Sequence, residues 1–249
     1  MPRLALVLFV AFFSSNSVFA QSNIPASPDD PVSLGTLWHD LGRDLRNLPS
    51  VENVLILGAG GGLSAWVHSE DAEITHQWSS SEELDEVFEP GGTLGSGWVQ
   101  IGSAIGTYVI GRRIDSPRTA LLGADLIRSQ TINAVLTQGV KLAVRRQRPD
   151  GTSFSFPSGH TSTTFTTATV LQRHFGWKVG APAYAVAAFV GGSRLQENRH
   201  YLSDVLFGAA IGIVSGRTAT IGRGAATFSL SPLVAPGTVG VALTHRAHR

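Results

Sequence analysis

Three short clusters in the second half of the chain constrain its fold more than any bulk property: Lys141-x6-Arg148-Pro149, Pro157-Ser158-Gly159-His160, and Ser193-Arg194-x5-His200-x3-Asp204. Together they supply three fixed cations, two histidines, a carboxylate and a helix start. Lys141 and Arg148 are two helical turns apart and would share a face, and Pro149 disfavours helix at Arg148, putting that guanidinium at or just past a helix end. Ser158 suits an N-cap, with Gly159 and His160 opening a helix that runs to about His174. Free N–H groups and the positive end of the dipole at such a start bind phosphate, and Gly159 lets the backbone come close to a ligand. His200 and Asp204 at i and i+4 are expected on one helix face. There a carboxylate can fix one ring nitrogen and leave the other free to attack. This inventory predicts one phosphate-handling site carried by helices.

The remaining pattern is also helical. Leu34, Leu37, Leu41, Leu45 and Leu48 recur at helical spacing, and a second apolar stretch covers 54–67. Its Gly58-Ala59-Gly60-Gly61-Gly62 fits neither a dinucleotide fingerprint nor a P-loop and reads as small residues for close helix packing. Ser79-x-x-Glu82 and Ser80-x-x-Glu83 resemble capping boxes before a short helix, and 90–97 reads as a Gly-rich loop. Further helices are expected at about 98–112, 118–146, 159–174, 181–192 and 200–217. The hydroxyl run Thr161-Ser162-Thr163-Thr164 has poor helix propensity. In the tail, Thr227–Ser231 and Val239–Leu243 alternate around Pro236-Gly237, the pattern of a β-hairpin.

The three clusters match, at every defining position and in the same order, the motifs of the type 2 phosphatidic acid phosphatase and vanadium haloperoxidase superfamily, which includes bacterial non-specific acid phosphatases. The resemblance covers about residues 120–216. It implies an all-α helical bundle and resolves the hydroxyl-rich run after His160 in favour of helix. It also implies roles: His200 as the nucleophile that forms a phosphohistidine, His160 as general acid and then base, Asp204 as the group that orients His200. Lys141, Arg148, Ser158, Gly159 and Arg194 would hold the phosphoryl oxygens. No metal or other cofactor is expected, because cations and amides suffice for positioning and charge stabilisation. A vanadium-dependent haloperoxidase, with vanadate in the same cradle, is the alternative within the superfamily; a non-catalytic phosphate- or lipid-binding envelope protein is the alternative outside it.

Location is the harder question. Arg3, the apolar run Leu4–Phe13 and Val18-Phe19-Ala20 read as a signal peptide over residues 1–20. A flexible segment follows over 21–33, then a helical domain over 34–220 and a tail over 221–249. There is no cysteine, so a disulfide framework is excluded. Charge is divided along the chain: residues 21–89 hold 2 basic and 13 acidic residues, and residues 90–220 hold 13 basic and 5 acidic. The basic half carries the clusters, which suits an anionic small-molecule or lipid phosphate substrate. The basic residues are too dispersed for a nucleic-acid patch. His68 and His76 beside Glu70, Asp71 and Glu73 lack helical metal-ligand spacing and read as a solvated acidic surface. The segment 118–146 carries Asp125, Arg128, Gln130, Asn133, Lys141, Arg145 and Arg146, too polar for an ordinary span. The expectation is therefore an exported, soluble bundle in the periplasm or cell envelope, with an integral membrane protein as the alternative.

Overall fold

The computed structural model describes residues 33–221 together with the backbone of 226–235 and 238–247. The expected leader and most of the 21–33 segment lie outside the described residues. Nine α-helices occur among those described: α1 (Leu34–Asn47), α2 (Val51–Val67), α3 (Asp71–Ser79), α4 (Glu82–Leu94), α5 (Gly97–Arg113), α6 (Pro117–Val144), α7 (Gly159–Phe175), α8 (Trp177–Gln196) and α9 (Leu202–Ala219). Strands β1 (Ala226–Ala235) and β2 (Thr238–Ala247) pair antiparallel from Ala226 opposite Ala247 to Ala235 opposite Thr238. That is the hairpin expected around Pro236-Gly237. The fold is all-α, as the three clusters and the helical periodicity implied.

Side-chain bonds fix the helix directions. Ser64 near the end of α2 donates to the Ser203 carbonyl at 3.0 Å, and Asn53 near its start donates to Thr218 Oγ1 at 3.0 Å, so α2 and α9 run antiparallel. Thr137 and Ser162 hydroxyls meet at 3.1 Å, while Gln130 reaches the Thr163 carbonyl and the Thr167 hydroxyl at 3.0 Å each, making α6 antiparallel to α7. α7 and α9 run parallel and very close. A Cβ on Gly208 would stand 2.7 Å from the Ser158 carbonyl oxygen, and one on Gly212 would stand 2.4 Å from that of Ser162. Only glycine permits that approach. Gly60 plays the same part for α2, where a Cβ would meet that of Ala210 at 2.4 Å; Gly58 and Gly62 meet nothing within 4 Å, so one glycine of the 58–62 run carries the close packing expected of it.

The Thr-rich start of α7 is helical because its hydroxyls find acceptors in their own helix. Thr164, Thr166 and Thr169 donate to the carbonyls of His160, Ser162 and Phe165 at 2.9, 2.8 and 2.7 Å. The competition that lowers threonine's helix propensity is thus satisfied in place.

Several boundaries differ from the sequence expectation, among them α8, which runs Trp177–Gln196 instead of 181–192. α4 runs through Pro90, Gly91 and Gly92 to Leu94 instead of ending in a loop, since this glycine-rich turn packs on α8: a Cβ on Gly91 would stand 2.3 Å from Ser193 Oγ. Ser79 ends α3, and Ser81, at the N-cap position of α4, makes no side-chain capping bond, so neither expected capping box forms. α9 begins at Leu202, leaving His200 in the loop before it.

The bundle interior combines apolar residues such as Ile132, Val170, Val190 and Val214 with many polar ones, while large apolar residues stand on its outside. Ser129, Asn133, Thr137, Thr161, Ser162, Thr166, Thr169 and Ser215 are all buried. Trp66, Trp98, Ile105, Val135 and Val186 face outward, Trp98 with 90% of its surface exposed.

Candidate active site

The C-terminal ends of α6 and α8 and the N-terminal ends of α7 and α9 meet at one end of the bundle, and every predicted site residue stands there. α6 stops at Arg145, which adopts a left-handed conformation (φ 51°). The chain then folds back on itself: Arg148 N–H donates to the Thr152 carbonyl at 2.7 Å, and Ser155 N–H to that of Arg146 at 2.8 Å. Asp150 accepts the Thr152 N–H at 2.9 Å and the Arg199 guanidinium at 2.8 Å. This tight loop aims Arg148 at the site. Ser158 caps α7 as expected, its hydroxyl taking a 2.9 Å bond from Thr161 Oγ1, and its own N–H donates to the Asp204 carbonyl at 3.0 Å. The α7 start is thereby tied to the α9 start.

A cavity of about 510 Å³ opens between these ends, lined by Gly92, Arg148, His160, Arg194, Glu197, Arg199 and His200. Four of the eight predicted residues therefore face the cavity: Arg148, His160, Arg194 and His200. Lys141, Ser158, Gly159 and Asp204 sit around its wall. Lys141 lies beside Gly159, and its ammonium donates to the Phe154 carbonyl at 2.5 Å. Glu197 pairs with Arg194, so one cradle cation has an internal anion.

His200 is buried, its Nδ1 standing 3.5 Å from Asp204 Oδ2. That distance is longer than a formed hydrogen bond, and catalytic contacts commonly tighten when substrate binds. The pair does not arise from a shared helix face. Asp204 is the third residue of α9 and reaches back to cap it, accepting the Tyr201 N–H at 2.9 Å, and this brings the carboxylate under His200. The Ser155 hydroxyl also donates to Oδ2.

Burial pushes the His200 imidazole down to about 4, with Asp204 opposing the shift. The ring is therefore neutral at ordinary pH, the form that can attack. Arg148 is lowered by burial and then by Arg199, while Asp150 and Asp204 oppose the shift. Asp150 is lowered chiefly by its bonds to Thr152.

The family model described as the PAP2 superfamily matches residues 122–227, the stretch that carries all three clusters. A curated relative, the lipid A 1-phosphatase of Porphyromonas gingivalis, is 41% identical over 100 residues, which is 39% of this chain. The chain spans 22% of that relative's length. Two solved structures share the fold of this bundle. The first transmembrane PAP2 type phosphatidylglycerolphosphate phosphatase from Bacillus subtilis aligns with a TM-score of 0.57 at 23% identity, covering 68% of this chain and 94% of that one. Aquifex aeolicus LpxE aligns with a TM-score of 0.52 at 26% identity, covering 60% and 93%.

Several residues of this site are not marked in the sequence. Glu197 and Arg199 line the cavity, yet no spacing rule singles them out. Arg146, which the sequence gives as a surface or substrate-approach charge, bonds Asp204 at 2.9 Å. Asp71, read as part of a solvated acidic surface, is buried and bonds Arg146 at 2.9 Å. Only contacts between distant segments distinguish these from ordinary charged residues.

Proposed function

We propose that this protein is a membrane-embedded phosphatase that hydrolyses lipid phosphate monoesters through a phosphohistidine, without a divalent metal. The observation that carries the reading is the convergence of His160, His200, Arg148 and Arg194 on one cavity, with Asp204 behind His200. In this reading His200 attacks phosphorus while Asp204 stabilises the positive charge that develops on the ring. His160 protonates the leaving alkoxide and then takes a proton from the water that releases phosphate. Arg148, Arg194 and the α7 N-terminus at Ser158–Gly159 hold the phosphoryl oxygens, and Lys141 supports them from the wall. Such a cradle supplies the positioning and charge stabilisation that phosphoryl transfer chiefly requires.

The membrane assignment departs from the soluble expectation, and the burial pattern supports it. Among the described residues one helix, Leu202–Ala219, is long and apolar enough to span by composition, and it is mostly buried. The other bundle helices carry their polar residues inward: Asp125, Arg128, Gln130 and Asn133 of α6 are buried, while Val135, Leu142 and Val144 are exposed. Polar groups that face the bundle are tolerated in a bilayer, whereas this much outward apolar surface is unusual for a protein in water. The transmembrane PAP2 fold of the Bacillus subtilis neighbour supports the same reading. The lipid A 1-phosphatase relative supports a lipid phosphate as substrate.

The test is hydrolysis of phosphatidic acid and of an aryl phosphate by the full chain in detergent. Turnover should persist in excess chelator and be blocked by vanadate. Activity lost in chelator and restored by magnesium or zinc would contradict the mechanism. Full recovery of active protein in the soluble fraction without detergent would contradict the membrane assignment.

A further inference from the structure

Arg146 bonds three side chains around the site, yet it does not line the cavity. From the loop after α6 its Nη1 donates to Asp204 Oδ1 at 2.9 Å and to Ser203 Oγ at 2.7 Å, and its Nη2 donates to Asp71 Oδ2 at 2.9 Å. The guanidinium carbon lies 4.0 Å from the centre of the Tyr201 ring. Asp71, at the first residue of α3, is buried. Its Oδ1 accepts the Ser203 N–H at 2.9 Å, its Oδ2 accepts the Ser203 hydroxyl, and His68 stands 3.3 Å away.

The two oxygens of Asp204 are thus held differently. Oδ2 faces His200 and takes the Tyr201 N–H and the Ser155 hydroxyl. Oδ1 is held by Arg146. A planar guanidinium bonded at both ends fixes the plane of the carboxylate it touches better than a point charge could. Outer partners of this kind set the orientation and basicity of the group that acts directly.

We infer that Arg146, clamped by Asp71, is a positioning residue that fixes the plane of Asp204 and divides its negative charge, so that Oδ2 meets His200 at the angle and strength the nucleophile needs. The acidic segment after α2 thereby contributes to the site, because Asp71 extends the chain from α3 through Arg146 and Asp204 to His200. This inference rests on the proposed nucleophilic role of His200.

The experiment uses the full chain in detergent, with Arg146→Gln, Arg146→Lys, Asp71→Asn and the double variant Asp71→Asn/Arg146→Gln. On an aryl phosphate, Arg146→Gln should lower kcat about 10–100-fold, the usual range for an outer partner, with KM changed less than about threefold. Arg146→Lys should recover part of the loss, since it restores charge but not the fork. Asp71→Asn should cost less, and the double variant should be no worse than Arg146→Gln, as expected of one connected chain. A rise in KM with kcat preserved would overturn the inference by making Arg146 a substrate contact.

A second readout needs no turnover: the titration of His200, followed by NMR on ring-labelled histidine and assigned with His200→Ala. Asp204, Lys141, Arg148, Arg194 and His160 face this ring and are unchanged by the substitution. Arg146→Gln removes a nearby cation and leaves Asp204 undivided, so the imidazole should hold its proton to higher pH. An unmoved His200 titration overturns the positioning role whatever the kinetics. A moved titration in a protein that hydrolyses no phosphate ester would uphold the positioning role and overturn the phosphatase reading.

Discussion

Two buried charge chains occupy opposite ends of the bundle, and they are built from the same parts. At the site end Asp71, Arg146, Asp204 and His200 follow one another; at the far end the order is Asp44, Arg128, Asp125 and His174. In each, an arginine bridges two aspartates and the second aspartate meets a histidine. The far chain is closed: His174 Nε2 lies 2.8 Å from Asp125 Oδ2, and Arg128 also donates to the Ala219 carbonyl at 2.9 Å, locking α1, α6, α7 and α9 together. The site chain is open, with His200 3.5 Å from its carboxylate and facing a cavity lined by cations. Composition alone does not separate a structural network from a reactive one. On the proposed function, the histidine that keeps a nitrogen free beside an anion cradle is the reactive one.

The sharpest way to break this comparison is to exchange the fates of the two histidines. His200→Ala should abolish turnover, a loss of roughly 10⁴-fold or more by analogy with removal of a nucleophile–base partner. His174→Ala should leave kcat and KM within about twofold in the folded protein. Equal losses for both would erase the distinction between the chains.

Much of the site was legible in sequence because its chemistry depends on residue type at short range. Lys141, Arg148, His160 and Arg194 sit on helix ends that spacing, Pro149 and Ser158 mark locally. What was illegible depends on contacts between distant segments. Lys141 and Pro149 mark Arg148 in sequence, whereas nothing local marks Arg146, and only the approach of α3 and α9 gives it its bonds to Asp71 and Asp204. The His200–Asp204 pair was expected from helix spacing but arises from a cap, since α9 begins after His200. The outward apolar surface was hidden for a similar reason. Each bundle helix mixes polar and apolar residues, and which face turns outward is decided by its neighbours. α4 ran past Pro90 because its glycines fit against α8, a match invisible in either segment alone.

Proton donation distinguishes the site end further. If His160 is the general acid, His160→Ala should slow alkyl phosphates by roughly 10²–10⁴-fold and aryl phosphates with good leaving groups far less. Parallel progress curves on the two ester types decide it, and equal losses would remove His160 from that role.

At the far end the expected effect is on stability. Arg128→Met leaves Asp44 and Asp125 buried without their cation, which should cost about 3–5 kcal/mol. Thermal unfolding in detergent would show the loss, while kcat in the folded fraction stays near wild type. A variant as stable as wild type would mean the far chain does not hold the bundle.

The smallest effect is in pH. Because burial holds the His200 imidazole down to about 4, the ring is neutral and nucleophilic above that pH and protonated below it. The acid limb of kcat/KM should therefore fall only as pH drops through about 4, well below the ordinary range of histidine. A limb near the ordinary histidine value of about 6.5 would show that His200 is not held neutral by its surroundings.

The account's central claim is that His200 carries the phosphoryl group during turnover. Rapid-quench mixing of the full chain with ³²P-labelled phosphatidic acid, followed by peptide mapping of the acid-labile label, tests it directly. Label on the His200 peptide, absent in His200→Ala and, with a ³²P-labelled aryl phosphate in place of the lipid, accumulating in His160→Ala, is the predicted result. Label on another residue, or steady turnover with no trapped phosphoenzyme at any quench time, would contradict it.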